Sequence, residues 1–310
     1  MPALICGSLA FDTIMVFNDR FKNHILPDKV HMLNVSFLAP SMRKEFGGCA
    51  GNVAYNLKLL GATGYPLGTV GEDFTPYGQW LEQHAVSQQF IKTIPGSFTA
   101  QAFITSDLDD NQITAFHPGA MAFSSQLAIP QDTDITIGTV SPDSREGMLA
   151  HAEQFVAAGI PFIFDPGQAL PLFSGPELIR FVEQADWIAA NDYEWALIQE
   201  RTGLSGQHIT ERVKALIVTR GAEGSTIFSG ARQIDIPPAP VAQVVDPTGC
   251  GDAYRAGLLY GLMHQMDWET TGRIASLAGA FKIETAGTQN HTFTPDTFQA
   301  RFFDSFQYRF

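Results

Sequence analysis

The stretch that most constrains the fold is residues 246–261, DPTGCGDAYRAGLLYG. Two β-branched residues, Val244 and Val245, lead into it, and Pro247 and two glycines interrupt the run. Ala253, Ala256, Gly257 and Tyr260 then recur at helical spacing. This pattern predicts a strand, a tight turn and a helix. A helix mouth carries four backbone N–H groups without intrahelical partners and the positive end of the dipole, so Thr248, Gly249, Cys250 and Gly251 would form an anion site. Gly249 and Gly251 lack a Cβ and let that backbone come close to an oxyanion. A carboxylate at Asp252 would be repelled by a bound phosphate; its presence makes sense if it takes a proton from a hydroxyl that attacks the phosphorus. Backbone bonds to a charged oxygen contribute about 1.5–3 kcal/mol each, so two or three of them, with a metal ion, offset that repulsion. The plainer alternative is that the glycines shape a turn and Asp252 complements the helix dipole.

The 310 residues suffice for one large α/β domain or two smaller ones, and 45% apolar against 16% charged excludes a disordered chain. A net charge of -13 argues against a nucleic-acid or membrane-surface partner. A phosphate-bearing ligand must then be held by local dipoles, glycines and metal, because Lys and Arg are scarce near the candidate site. Cys6, Cys49 and Cys250 are odd in number and lack metal-ligand spacing, so they read as small buried thiols in a reducing cytoplasm. The opening MPALICGSLAFD has no basic region before a long apolar core, and no run reaches ~18 apolar residues, so neither a signal peptide nor a membrane span is expected.

Short apolar runs at 3–6, 67–71, 135–140, 161–164, 185–191 and 215–219 alternate with helix-like segments such as SREGMLAHAEQFVAAG, which predicts a mostly parallel sheet. Ligands of open α/β sheets bind at the carboxyl edge of the strands. Ser8, Asp12 and Gln168, just after such runs, are therefore candidate substrate contacts, although Asp12 alone could be a solvated turn residue. GGCAGNVAYNLKLLG (47–61) reads as a glycine-rich entrance to a helix whose face carries Val53, Ala54, Leu57 and Leu60. Residues 99–116 alternate around DLDDN like a hairpin. Phe103 and Phe116 there could stack on a planar base or simply pack. Asn191 and Glu194, at i and i+3, can share one helix face, whether as a site or as a helix start. No Gly-Lys pair exists for a Walker loop, Tyr254 stands where a dinucleotide fingerprint needs its third Gly, and there is neither an HExxH pair nor a GxSxG elbow.

DPTGxGDAxxAG resembles the C-terminal signature of the PfkB family, the ribokinase-like carbohydrate and nucleoside kinases. The resemblance extends over residues 3–305, with its motifs in the family's order. It implies a ribokinase-like three-layer α/β fold, one kinase domain over 1–310, with a small β-lid formed by segments near 13–46 and 99–116. It assigns the anion hole to Gly249, Cys250 and Gly251 and the catalytic base to Asp252. Ser8, Asp12, Gly48 and Asn52 would orient a ribose, with Asp12 accepting hydrogen bonds from two hydroxyls, and FHPGAM (116–121) is similar to bacterial adenosine kinases. NDYEW is similar to the family's NxxE motif, in which Asn191 and Glu194 organise Mg²⁺ through water. VTRGAEGS is similar to the strand and loop that support the nucleotide, giving roles to Thr219, Arg220, Gly221 and Gly224. AGTQNH (286–291) falls near the adenine or a monovalent-cation loop. Asp246 would help place a potassium-like ion. Ala169 and Leu172 depart from the polar amide and Arg that adenosine kinases carry after Gln168.

The expected activity is transfer of the ATP γ-phosphoryl group, with Mg²⁺ and in some relatives K⁺, to a primary hydroxyl of a ribose-containing substrate, adenosine first. Ribose, fructose or another nucleoside is the alternative acceptor, and a catalytically silent nucleoside sensor is the alternative class. A homodimer through the lid is expected, as is a cytoplasmic location.

Overall fold

Several short strands carry apolar residues on both faces, and they can only be satisfied by helices packed on each side. The computed structural model describes residues 2–25, 34–109, 111–131 and 133–310. β1 (Ala3–Cys6) runs into β2 (Ala10–Val16), which pairs with β3 (Ser41–Gly47). α1 (Cys49–Leu59), β4 (Gly64–Val70), α2 (Thr75–Gln83) and β5 (Phe90–Thr93) come next, followed by β6 (Ala100–Ser106) and β7 (Gln112–His117). The alternation continues through β8 (Ile137–Val140), α3 (Arg145–Ala158), β9 (Phe162–Phe164), α4 (Gly175–Gln184), β10 (Trp187–Asn191), α5 (Asp192–Thr202), α6 (Gly206–Thr210) and β11 (Ala215–Thr219). The hairpin β12 (Ser225–Ser229) and β13 (Arg232–Ile236) precedes α7 (Cys250–Met263), α8 (Trp268–Ile283) and α9 (Pro295–Phe306).

The main sheet has the order β13-β12-β11-β10-β9-β8-β1-β4-β5 and is parallel from β11 to β5, with the β12–β13 hairpin antiparallel at one edge. Alternate residues of each strand enter different layers. Ala3, Ile5, Ala189 and Ile217 pack with Val53 and Leu57 of α1 and Leu258 of α7. Leu4, Cys6, Ala190 and Val218 pack with Phe155, Phe181 and Ile198 of α3, α4 and α5. This is the period-two alternation of a sheet covered on both faces.

A second sheet, ordered β3-β2-β6-β7, forms the lid. Its central pair, β2 with β6, is parallel, so the lid is knitted from two distant segments rather than from two separate hairpins. β2 begins at Ala10 and already contains Asp12, earlier than the expected lid start at residue 13. Part of that expected segment, residues 26–33, and Asp110 of the DLDDN turn lie outside the described residues.

The strand expected at Val244 and Val245 is absent. The sheet edge ends at Ile236, and residues 237–249 leave it, so these valines have no ladder to join. The N–H groups of Val245 and Asp246 instead donate to the Ile283 carbonyl at the end of α8 (2.9 and 3.1 Å), and Val244 is 70% exposed.

Candidate active site

The turn before α7 is built by Asp246. Its carboxylate accepts from the N–H of Thr248 and of Gly287, both at 2.9 Å. Burial raises its pKa, but these bonds and the nearby Lys282 outweigh burial and hold it below the ordinary aspartate value. Gly249 takes φ 80°, a left-handed conformation that glycine adopts without penalty, and so swings the chain into the helix. The expected anion hole is changed at one position. The Cys250 N–H closes the turn onto the Pro247 carbonyl at 3.1 Å, whereas those of Gly249, Gly251 and Asp252 have no partner among the described residues. The exposed mouth of α7 therefore offers Gly249, Gly251 and Asp252, with Cys250 holding the turn.

Asp252 is fixed from α1. The Asn52 amide donates to its Oδ2 at 2.7 Å, and the Asn52 carbonyl oxygen accepts from Gln289 Nε2 at 2.9 Å. Asn52, which the sequence placed on sugar hydroxyls, is 3% exposed, with both ends of its amide engaged and its NH₂ orienting the Asp252 carboxylate. Gln289 also donates to the Tyr77 hydroxyl (2.6 Å), which donates to the Gly47 carbonyl (2.9 Å). Gln289 Oε1 accepts from Trp80 Nε1 at 3.1 Å. Burial, reinforced by Asp165 and opposed by the Asn52 bond and Arg255, pushes the Asp252 carboxyl up to about 6.

That chain of hydrogen bonds ends at the Gly47 carbonyl, and Asp12 lies beside Gly47 without a bond to it. It packs directly beneath Gly47, where an added Cβ would sit 2.6 Å from Oδ2. Among the described residues its carboxylate accepts no hydrogen bond, and burial, then the charges of Glu45 and Asp246, raise its pKa to about 6. Burial, then the charges of Asp12 and Asp252, drive the Tyr77 hydroxyl's pKa upward against the bond from Gln289. The helix entrance between them requires Gly48, at φ 86°, where a side chain would strike the Ser8 carbonyl and the Ala10 N–H. Ser8 is 7% exposed, and its hydroxyl accepts from the Cys49 N–H at 3.2 Å, so it caps α1 from below. Paired positions on neighbouring strands share a face, and the row Glu45, Asp12, Ala102, Phe116 crosses the lid. Glu45 accepts from Asn290 of the 286–291 loop (2.8 Å), which turns that face toward the core. Phe116 is 49% exposed and two strands from Asp12, about 10 Å at the usual strand spacing.

A charged cluster that sequence reading missed lies behind Asp252. Arg255, one turn further along α7, is buried, donates to Asp165 Oδ1 (2.9 Å) and to the Ala189 carbonyl (3.2 Å), and sits 4.0 Å from Glu194. The available signal was the single basic residue of α7, flanked by apolar residues. Asn191 and Glu194 form a reciprocal capping box at the start of α5: the Asn191 side chain accepts from the Glu194 N–H (2.7 Å), and Glu194 accepts from the Asn191 N–H and amide (2.9 Å each). Burial and Asp165 raise the Glu194 pKa despite the bond from Asn191 and the charge of Arg255. Thr219 is paired with Asn191 at the carboxyl edge of the adjacent strand. Arg220, expected near a triphosphate, instead donates to Thr226 on β12 (2.7 Å) and lies 4.0 Å from Glu223. Its N–H closes onto the Gly224 carbonyl (2.8 Å) around exposed Gly221. Gln168 is exposed just after β9. Two surface depressions lie elsewhere than at Asp252. One of about 280 Å³, lined by Pro2, Thr63, Tyr65 and His264, sits at the opposite, amino edge of β1 and β4. The other, about 360 Å³, lies at the lid base beside Phe98 and His117.

The model of the pfkB family carbohydrate kinases matches residues 12–295. The chain belongs to the PfkB family. It is a PfkB kinase similar to the nucleoside kinase of Methanocaldococcus jannaschii, 34% identical over 269 residues that span 85% of this chain and 87% of that protein. It is also similar to the nucleoside kinase of Methanothermobacter thermautotrophicus, at 32% over 300 residues (93% and 94%). Among solved structures, the Burkholderia thailandensis nucleoside kinase in complex with inosine superposes with a TM-score of 0.90 at 49% identity, covering 99% of each chain, and the same protein has been solved in complex with ADP-inosine. The ATP that a PfkB kinase implies fits a mouth with free N–H groups at the carboxyl edge of the sheet. For Mg²⁺, no group of three or more His, Cys, Asp and Glu among the described residues could hold a metal. Mg²⁺ usually keeps several waters and binds with the substrate phosphates, so the residues present fit an ion carried in on the nucleotide rather than a protein cage. No helix among the described residues is long and apolar enough to cross a membrane.

Proposed function

We propose that this kinase phosphorylates the primary hydroxyl of a purine nucleoside, with ATP as donor. The observation that carries the reading is the unpartnered, partly buried Asp12 carboxylate, packed against Gly47, whose carbonyl ends the hydrogen-bond chain that runs from Asp252 through Asn52, Gln289 and Tyr77. An ionised carboxylate is acceptor-only at both oxygens, which suits the 2′ and 3′ hydroxyls of a ribose. With those held at Asp12, the primary hydroxyl would lie at Asp252. As the new O–P bond forms and the bond to the ADP leaving group breaks, the hydroxyl proton passes to Asp252 and later to solvent. The N–H groups of Gly249, Gly251 and Asp252 stabilise charge on the transferred phosphoryl oxygens. Mg²⁺ bound with ATP would neutralise phosphate charge. Positioning supplies much of the rate in such transfers.

A nucleoside is favoured over a free sugar by Phe116, whose exposed ring shares the lid face of Asp12 at about the distance from ribose hydroxyls to base. The sequence pattern favours adenosine, while a 49% identical relative binds inosine; the two differ only at position 6 of the purine, so the substrate class proposed is the purine ribonucleosides. ATP consumption measured with adenosine, inosine, their 2′-deoxy forms, ribose and fructose tests it. The ribonucleosides should lead, and loss of one hydroxyl opposite Asp12 should lower kcat/KM by about 10⁴-fold. Equal use of the deoxynucleosides, or preference for a free sugar, contradicts the assignment. Tight nucleoside binding without turnover would favour the silent sensor.

A further inference from the structure

Lys282, in the last turn of α8, is fully buried. Its ammonium donates to the Asp246 carbonyl at 2.6 Å and to the Thr285 carbonyl at 3.2 Å, and it lies 4.0 Å from Asp246 Oδ2. Two carbonyls and a carboxylate are hard oxygen ligands of the kind that replace the hydration shell of a monovalent cation. The sequence led us to expect a potassium-like ion at Asp246. The residues present do not fit one: the oxygens already face an ammonium, and a second cation drawn to them would meet that charge across a few ångströms.

The position has a consequence for the reaction. Asp246 anchors the turn through its carboxylate, which holds Thr248 and Gly287, and through its carbonyl, which Lys282 holds. The Cys250 thiol also reaches that carbonyl, at 3.9 Å. The free N–H groups of Gly249 and Gly251 lie within five residues of this anchor. A positive charge in the last turn of a helix is further favoured by the helix dipole, which helps keep the ammonium in place despite burial. We propose that the Lys282 ammonium is a tethered substitute for a monovalent cation, fixing the phosphate-facing turn so that turnover needs no potassium. Lys282 is thus a positioning residue for the phosphoryl transfer proposed above.

The wild-type protein is compared in potassium chloride and choline chloride at equal ionic strength, by kcat with whichever acceptor is turned over and by the melting temperature of the ligand-free protein. Equal kcat and equal melting temperatures are expected; a kcat or melting temperature that rises specifically with potassium overturns the proposal. The melting comparison needs no turnover, so it stands even if the nucleoside reading fails. Lys282→Ala should lower kcat by about 10²-fold with the nucleoside KM little changed, and methylammonium or potassium in the buffer should restore part of it. Wild-type kcat in Lys282→Ala overturns the proposal. If that variant does not fold, the two-salt comparison on the wild type decides.

Discussion

Asp12 and Asp252 are both raised to about 6 from an ordinary aspartate value of 3.8, in each case chiefly by burial. A base must be deprotonated to accept a proton, and Asp12 must be ionised to accept from two hydroxyls at once. On the proposed roles, activity should be present above pH 6 and be lost as pH falls through it. Because both groups titrate in the free enzyme, log kcat/KM should fall below pH 6 with a slope approaching two, and Asp12→Asn should reduce that slope to one. A wild-type plateau that persists to pH 5 in the rate profile would refute this. Sequence made the two carboxylates legible, because each follows a short motif at a strand end or helix mouth. It did not reveal what engages the Asn52 amide, since the partners, Asp252 and Gln289, lie 200 and 237 positions away. No local pattern carries such a pairing.

At the scale of elements, the strands of the main sheet were readable because burial on both faces writes continuous apolar runs. Edge strands β5 and β13 were not anticipated: their residues are half-exposed and mixed in polarity. Val244 and Val245 misled for the converse reason, as β-branched residues in a loop that has no neighbouring strand. Helix α7 was anticipated, but not what its Arg255 does. Arg255 and Asp165 are each 5% exposed at the side chain and bind β9, β10 and α5 to α7. Removing one partner of a buried ion pair typically costs 3–5 kcal/mol because the other charge is left unpaired. Arg255→Met should thus destabilise the protein by about 3–5 kcal/mol in urea unfolding, and a change within experimental error would mean the pair is not structural.

Across the whole molecule, the 286–291 loop joins the parts that must act together. Thr288 donates to the Phe46 carbonyl on the lid (2.5 Å), Asn290 donates to Glu45, Gln289 reaches α1 and α2, and Gly287 holds Asp246. The lid also displays Leu38, Met42, Phe103 and Ile113, between 41% and 85% exposed. Such an apolar surface is the one an expected homodimer would cover, and sedimentation equilibrium should give twice the 33.8 kDa chain mass, a monomer contradicting it. The bonds of the 286–291 loop join residues far apart in the chain, which no local sequence pattern carries. The most direct test is Asp252→Asn, with kcat measured by ADP release and inosine affinity by calorimetry. Loss of a general base should lower kcat by about 10²–10⁴-fold while inosine still binds with near wild-type affinity. Turnover at the wild-type rate would show that Asp252 is not the base, and loss of inosine binding together with turnover would show that it acts in recognition instead.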